Sequence, residues 1–100
     1  MIRGTTPTHT FNLPFSTDQV TSARVIYKQG QKEILRKETA DFVKAGKSLK
    51  VTLTQEDTLL FDCRLMVKLQ LRVKTTEGSV LNTKPRLVSV EECLDEEVLV

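Results

Sequence analysis

The amino-acid sequence predicts an all-β fold, an immunoglobulin-like antiparallel β-sandwich of six to seven strands with one short helix at about residues 55–61. Three observations predict it. Apolar and charged side chains alternate over residues 64–75, short β-branched or aromatic runs recur along the chain, and turn residues separate these runs. A chain of 100 residues has the length of one domain, so residues 1–100 are expected to form a single sandwich. The chain has no Trp and lacks the Cys-Trp-Cys pattern of true immunoglobulin domains, and a partly open barrel is the alternative.

The segment at residues 64–75 carries the clearest strand pattern. In an extended chain, successive side chains point to opposite faces of the sheet. One face would carry the apolar residues Leu65, Val67, Leu69, Leu71 and Val73. The other would carry Arg64, Lys68, Gln70, Arg72 and Lys74, with Met66 as the one exception. This pattern is typical of an antiparallel sheet that packs one face on a core and turns the other to water.

The remaining strands are predicted from shorter runs, in chain order at residues 9–13, 23–28, 33–38, 41–44, 49–53 and 80–90. The first run ends at Pro14, which favours an edge strand because proline cannot donate to a ladder. Gly30 lies in the short loop between the second and third runs, where a positive φ would close a hairpin. Pro85 interrupts the last run, so a bulge or an edge is expected there.

The segment at residues 54–61 carries the signal for a helix start. Thr54 can accept a hydrogen bond from a backbone N–H of the first turn, and Asp57 places a carboxylate near the positive end of the helix. Three apolar residues follow, Leu59, Leu60 and Phe61. We expect one or two helical turns that close the end of a sheet.

Charge is unevenly distributed along the chain, although the net charge is only +2. Residues 91–100 carry five acids and no base, whereas the other ninety residues hold 15 bases and eight acids. The N-terminal residues lack the apolar region of a signal peptide. No run approaches the roughly 18 apolar residues of a membrane span. These features predict synthesis in the cytoplasm and no membrane partner.

The two ends of the chain are predicted to be flexible arms, at residues 1–7 and 94–100, because domain termini are poorly ordered unless they are tied down. The second arm places Leu94, Val98, Leu99 and Val100 within an acidic segment. Two arrangements of this arm remain open. It could dock on the basic surface of a neighbouring subunit, or it could fold on its own domain.

No catalytic constellation is visible in the sequence. His9 is the only histidine and would share a strand face with Phe11, and a lone histidine of this kind is usually a structural or surface residue. The chain has no glycine-rich phosphate loop, and one histidine with two cysteines cannot supply the four ligands of a structural zinc site. Cys63 and Cys93 are expected to be free, small buried hydrophobes. The sequence predicts no enzyme, catalytic residue, cofactor, metal or small-molecule substrate.

The candidate interaction surface combines the polar strand row with the acidic tail, namely Arg64, Lys68, Gln70, Arg72, Lys74, Glu91, Glu92, Asp95, Glu96 and Glu97. A basic row could follow nucleic-acid phosphates. Aromatic side chains for base stacking are missing from that face, so nucleic acid is the less favoured partner. Glu33, Glu38 or the tail acids could instead neutralise the row across strands, or the charges could shield an edge from aggregation.

Three segments of the chain, at residues 1–11, 53–61 and 67–73, also resemble known sequences. The Gly-Thr-Thr-Pro opening and the Thr-Gln-Glu-Asp-Thr corner are their distinctive parts. Together they resemble small proteins encoded in prophage structural-gene modules of Gram-positive bacteria, over nearly the whole chain.

This resemblance implies a non-enzymatic virion structural or assembly protein of the tail, baseplate or head–tail region. Its expected partners are other phage structural proteins and copies of itself. Its expected location is the host cytoplasm during synthesis and then the virion. The alternative function is that of a nucleic-acid-binding accessory protein that uses the basic strand face.

Overall fold

Two antiparallel sheets and one short helix make up the protein in a computed structural model that describes residues 1–99. Residue 100, the last of the predicted arm 94–100, lies outside the described residues. The strands are β1 (Thr8–Asn12), β2 (Val20–Gln29), β3 (Lys32–Glu38), β4 (Phe42–Ala45), β5 (Ser48–Thr52), β6 (Val67–Thr75), β7 (Val80–Asn82) and β8 (Arg86–Val88). The helix is α1 (Gln55–Leu59), and two 3-10 turns lie at Thr17–Gln19 and Thr39–Asp41.

The strands form a three-stranded sheet in the order β1-β5-β4 and a five-stranded sheet in which β3, β2 and β6 are neighbours. β7 and β8 both pair with the free edge of β6, one after the other, and the break between them contains Pro85. The predicted interruption of the last strand is therefore confirmed. No ladder joins the two sheets within residues 1–99, so the all-β sandwich prediction is confirmed, with eight strands in this range instead of six to seven because the last predicted strand is divided in two. The likeness to immunoglobulin domains stays a prediction.

The hydrophobic core lies between the two sheets and consists mainly of Leu and Val. The five-stranded sheet contributes Val25, Tyr27, Leu69, Leu71 and Val73, and the three-stranded sheet contributes Phe11, Leu49 and Val51, all of them buried. Each such side chain contributes about 1.5–3 kcal/mol on burial. Phe61, which follows α1, packs on Tyr27 with 5.9 Å between ring centroids, so the helix closes one end of the sandwich.

The start of β6 differs from the prediction, because the strand begins at Val67 and not at residue 64. Leu65, predicted to face the core, is 49% exposed, and Met66 is 50% exposed. The cause is the buried side chain of Gln29. Its amide nitrogen donates to the carbonyl oxygens of Asp62 and Leu65, at 2.7 and 3.1 Å, and its amide oxygen accepts from the Asp62 N–H at 2.9 Å.

These three hydrogen bonds hold the chain before β6 in a turn. Arg64 lies in that turn, where its guanidinium group binds the carboxylate of Asp62 at 2.8 Å. The prediction that Arg64 belongs to the strand row is therefore wrong. At this point the hydrogen bonds of the buried Gln29 side chain, and not the local alternation of apolar and charged residues, decide the backbone conformation.

The predicted helix is confirmed, and its first turn carries a complete capping box. The Thr54 hydroxyl accepts from the Asp57 N–H at 3.1 Å, and the Asp57 carboxylate accepts from the Thr54 N–H at 2.9 Å. Asp57 also forms a salt bridge of 2.8 Å with Lys37 of β3. Burial acts to raise the pKa of Asp57, but hydrogen bonds from Lys37 and Thr54 outweigh it and hold that pKa below its ordinary value. The cap thus ties the helix to the sheet edge.

The N-terminal segment lies against the rest of the domain. The hydroxyl of the buried Thr58 donates to the Thr5 carbonyl at 2.8 Å and accepts from the Gly4 N–H at 2.9 Å. Glu91 bridges to the same segment, since its N–H donates to the Met1 carbonyl and its carbonyl accepts from the Arg3 N–H. Residues 1–5 therefore have defined partners in the folded chain. The mobility of the predicted arms in solution stays a prediction.

The capping box generates a test of helix stability. We expect Thr54→Ala to lower the free energy of unfolding by about 0.5–2 kcal/mol, because the Asp57 N–H loses its acceptor. Urea unfolding followed by circular dichroism measures the change. Thr76→Ala, at an exposed turn position, is the matched control and should change stability little. Equal losses in the two variants would contradict a capping role for Thr54.

Candidate functional site

The outer face of the five-stranded sheet carries the densest charge that we find among the described strands. Its charged side chains are Arg24, Lys28, Arg36, Lys68, Arg72 and Lys74, with Glu33 and Glu38. We call this surface the basic face. It arises from the pairing register, because the residues that alternate with these on β2 and β6 are buried in the core.

The register places like charges directly opposite each other on the basic face. Arg24 of β2 is the Cα partner of Arg72 on β6, and Lys28 is the partner of Lys68. Like charges at facing positions of neighbouring strands destabilise a sheet.

The two acids of the face pair with bases near the β3 edge. Glu38 forms a salt bridge with Arg24, with 3.0 Å between carboxylate oxygen and guanidinium nitrogen, and Glu33 forms one with Arg36 at 2.8 Å. The hydrogen bond from Arg36 lowers the pKa of Glu33 below its ordinary value. Both pairs are solvent-exposed, and exposed pairs contribute little to stability. The sequence suggested that Glu33 and Glu38 could neutralise bases of the row on β6. In the structure they pair instead with bases of β2 and β3.

The basic row of β6 is left without an acidic partner. No carboxylate lies within salt-bridge distance of Lys68, Arg72 or Lys74 in the part of the chain that the structure describes. Arg72 donates to the Asn82 amide oxygen at 3.0 Å, and Gln70 donates to the Thr83 carbonyl at 2.7 Å. These neutral acceptors orient the row without removing its charge.

Three apolar side chains lie among the bases. Ile26 is half-buried, Val80 is 56% exposed and Leu87 is 60% exposed. Two shallow grooves of about 200 Å³ each cross the face. The lining of one includes Arg24, Glu38, Arg72, Lys74 and Val80, and that of the other includes Ile26, Lys28, Glu33, Lys68, Arg72 and Pro85. The surface therefore combines basic charge with apolar area that remains in water.

The acidic tail lies elsewhere, along the helix end of its own domain. Arg3 forms a salt bridge with Glu96, and the Gln55 amide exchanges two hydrogen bonds with the Leu99 backbone, at 2.7 and 3.0 Å. The tail has no salt bridge or hydrogen bond with the basic face over residues 91–99. The other tail carboxylates lack a basic partner in the same range, those of Glu91, Glu92, Asp95 and Glu97.

The structure thus divides the predicted surface into three parts. Lys68, Gln70, Arg72 and Lys74 lie together on the basic face, Arg64 lies in the turn before β6, and the five tail acids lie at the helix end. Sequence reasoning missed the contribution of the β2–β3 hairpin, namely Arg24, Lys28 and Arg36. The alternation in that hairpin is visible in the sequence, but only the strand order brings it beside β6.

Both cysteines are free thiols, as predicted, but the prediction that they are buried is wrong. Cys63 is exposed, because the Gln29 hydrogen bonds hold its turn at the surface. Cys93 is partly exposed in the tail, where its thiol lies 2.8 Å from the Asp95 carbonyl oxygen.

His9 lies in a structural setting between the sheets. Its Nδ1 atom lies 2.7 Å from the hydroxyl oxygen of Tyr27, which is fully buried. Burial lowers the pKa of His9 from its ordinary value, and the charge of Arg86 lowers it further. The pair satisfies a buried hydroxyl at the core, so of the two settings predicted for His9, structural or surface, the structure shows the structural one.

Residues 1–99 contain no group of three or more His, Cys, Asp or Glu side chains placed to hold a metal ion. No helix in this range is long and apolar enough to cross a membrane. Comparisons with protein-family models, with curated proteins and with solved structures give no match for this chain. The basic face is the candidate functional site on its geometry alone.

The His9–Tyr27 pair predicts how stability changes with pH. The folded-state pKa of His9 lies below the unfolded value of about 6.5, so the unfolded chain binds more protons between the two values. Stability should therefore fall as the pH drops from 7 towards 5. In urea unfolding at several pH values, His9→Gln should flatten this slope, whatever its effect at pH 7. Parallel slopes in wild type and variant would contradict the assignment.

Proposed function

We propose that this protein is a non-enzymatic structural or assembly component of a phage particle, which acts through protein–protein contacts in the tail, baseplate or head–tail region. The observation that carries the proposal is the basic face. Its β6 row has no acidic partner among the described residues, and its β2 and β6 bases oppose each other directly. Such a surface gains from an acidic protein partner.

Two physical terms would drive this contact. An acidic surface placed over Lys28 and Lys68 relieves the repulsion within that pair and adds attraction, and the same surface over Arg72 adds an acid to a pair in which only Arg24 is already bound by Glu38. Exposed Val80 and Leu87 offer apolar area for burial, which gives most of the free energy in protein interfaces. The charge would set the orientation and the rate of association.

The same face supports a protein partner better than a nucleic acid. Glu33 and Glu38 lie on it and would repel phosphates, and none of its side chains is aromatic. Exposed Val80 and Leu87 gain nothing against a phosphate backbone. The alternative, a nucleic-acid-binding accessory protein, is favoured only by the excess of bases. It requires binding that weakens steeply with salt.

The phage assignment is supported by the resemblance of residues 1–11, 53–61 and 67–73 to prophage structural-module proteins. We propose the host cytoplasm during synthesis and then the virion as the locations. The partners would be other virion proteins and copies of this chain.

The first prediction of this proposal concerns particle composition. Particles purified from an induced host should contain the protein in a fixed ratio to the capsid and tail proteins, as measured by quantitative mass spectrometry. That ratio should survive a high-salt wash if the protein is built into the particle. Absence from particles while the protein is abundant in the lysate would reject a virion role.

A second prediction separates function from stability on the basic face. Lys68→Glu with Arg72→Glu turns both like-charged pairs into opposite-charged pairs, so stability should rise by about 0.2–1 kcal/mol per pair. Incorporation into particles should nevertheless fall by about tenfold or more, because like charges then oppose the acidic partner. Urea unfolding and quantitative mass spectrometry measure the two effects.

Lys47→Glu with Lys50→Glu is the matched control, since both lysines are exposed and belong to the three-stranded sheet and its adjoining turn. It makes the same change in net charge and should leave incorporation unaltered. Equal incorporation of the two double variants would argue against the basic face as the contact. Low-salt DNA and RNA binding that only the basic-face variant loses would favour the alternative function.

A further inference from the structure

We infer that the acidic partner of the basic face is the tail of a second copy of this chain. The inference rests on the proposed function and names its partner: residues 91–97 of one molecule bind across β2 and β6 of another. The contact is heterologous, because the two patches are different surfaces of the same chain.

Charge complementarity supports this pairing. The tail carries five acids and no base, and only Glu96 has a salt-bridge partner within residues 1–99. The β6 row carries three bases without a salt-bridge partner in the same range. Each patch therefore leaves a net charge that the other patch can neutralise.

The apolar parts of the two patches also match. Leu94 is fully exposed, with Asp95 directly after it and Glu92 two residues before it, so the tail presents an apolar side chain among acids. One of the two grooves on the basic face has the half-buried Ile26 among Lys28 and Lys68, and the one acid in its lining, Glu33, is already paired with Arg36. Leu94 can bury its side chain there while the flanking carboxylates meet the lysines.

Docking within one molecule would require the tail to leave its present position. Glu91 is held by the backbone of Met1 and Arg3, and Leu99 is held by Gln55 at the other end of the segment. The tail therefore remains at the helix end of its own domain, with its free carboxylates and Leu94 facing outward. A second copy can bind it without any rearrangement.

A charge swap tests the inference by sedimentation velocity over a concentration series. The face variant is Lys68→Glu with Arg72→Glu, and the tail variant is Glu92→Lys with Glu97→Lys, which leaves the Arg3–Glu96 salt bridge intact. Wild type should self-associate at low salt and dissociate as salt rises. Each variant alone should weaken self-association by about tenfold or more. The chain that carries all four changes, and the mixture of the two variants, should associate again.

The role of Leu94 is tested separately. Leu94→Ser should weaken self-association without lowering stability, because the side chain is fully exposed. Val43→Ser is the matched control, since Val43 is 64% exposed on the three-stranded sheet. It should leave self-association unchanged.

The outcomes distinguish this inference from the proposed function. The inference is overturned if the wild type stays monomeric at every concentration. It is also overturned if the chain that carries all four substitutions fails to regain self-association. If the face variant still loses incorporation into particles in that case, the proposed function stands and the acidic partner is another protein. If neither self-association nor incorporation depends on the basic face, both proposals fail.

Discussion

The pairing of β2 with β6 is the constraint on which the rest of the structure depends. Side chains alternate along both strands, so one register decides both faces of the sheet. With Val25 opposite Leu71, the inner face forms most of the core. The same register necessarily places Arg24 opposite Arg72 on the outer face. A slip of one residue would relieve the repulsion but would expose the core side chains to water. Burial of the apolar side chains therefore decides the register, and the positions of the charged side chains result from it.

The corner around α1 is held by polar contacts rather than by packing alone. Gln29 binds the turn before β6, Asp57 joins the helix to β3, and Thr58 holds the N-terminal segment. Each of these groups is well satisfied by hydrogen bonds, as buried polar groups need to be. The corner consequently gives the tail a defined place beside the helix, away from the basic face.

This arrangement gives the protein two oppositely charged surfaces on one small domain. Neither surface neutralises the other within the folded chain, because Gln55 and Arg3 hold the tail at the helix end. The inner face of the five-stranded sheet packs on the three-stranded sheet to form the core, and its outer face carries the charge, of which Glu33 and Glu38 balance only a part. Substitutions of these exposed charged side chains should therefore leave the core undisturbed.

The sequence by itself determined the all-β class, the hairpin at Gly30, the cap at Thr54 and the break at Pro85, because each depends on local alternation or on neighbouring residues. It did not determine where β6 begins, since the buried amide of Gln29 comes from a distant strand. Of the residues on the basic face, the sequence predicted those of β6 and missed those of β2 and β3. The strand order decided that Arg24, Lys28 and Arg36 lie beside that row, and that the tail acids lie elsewhere, because both depend on contacts between residues far apart in the chain.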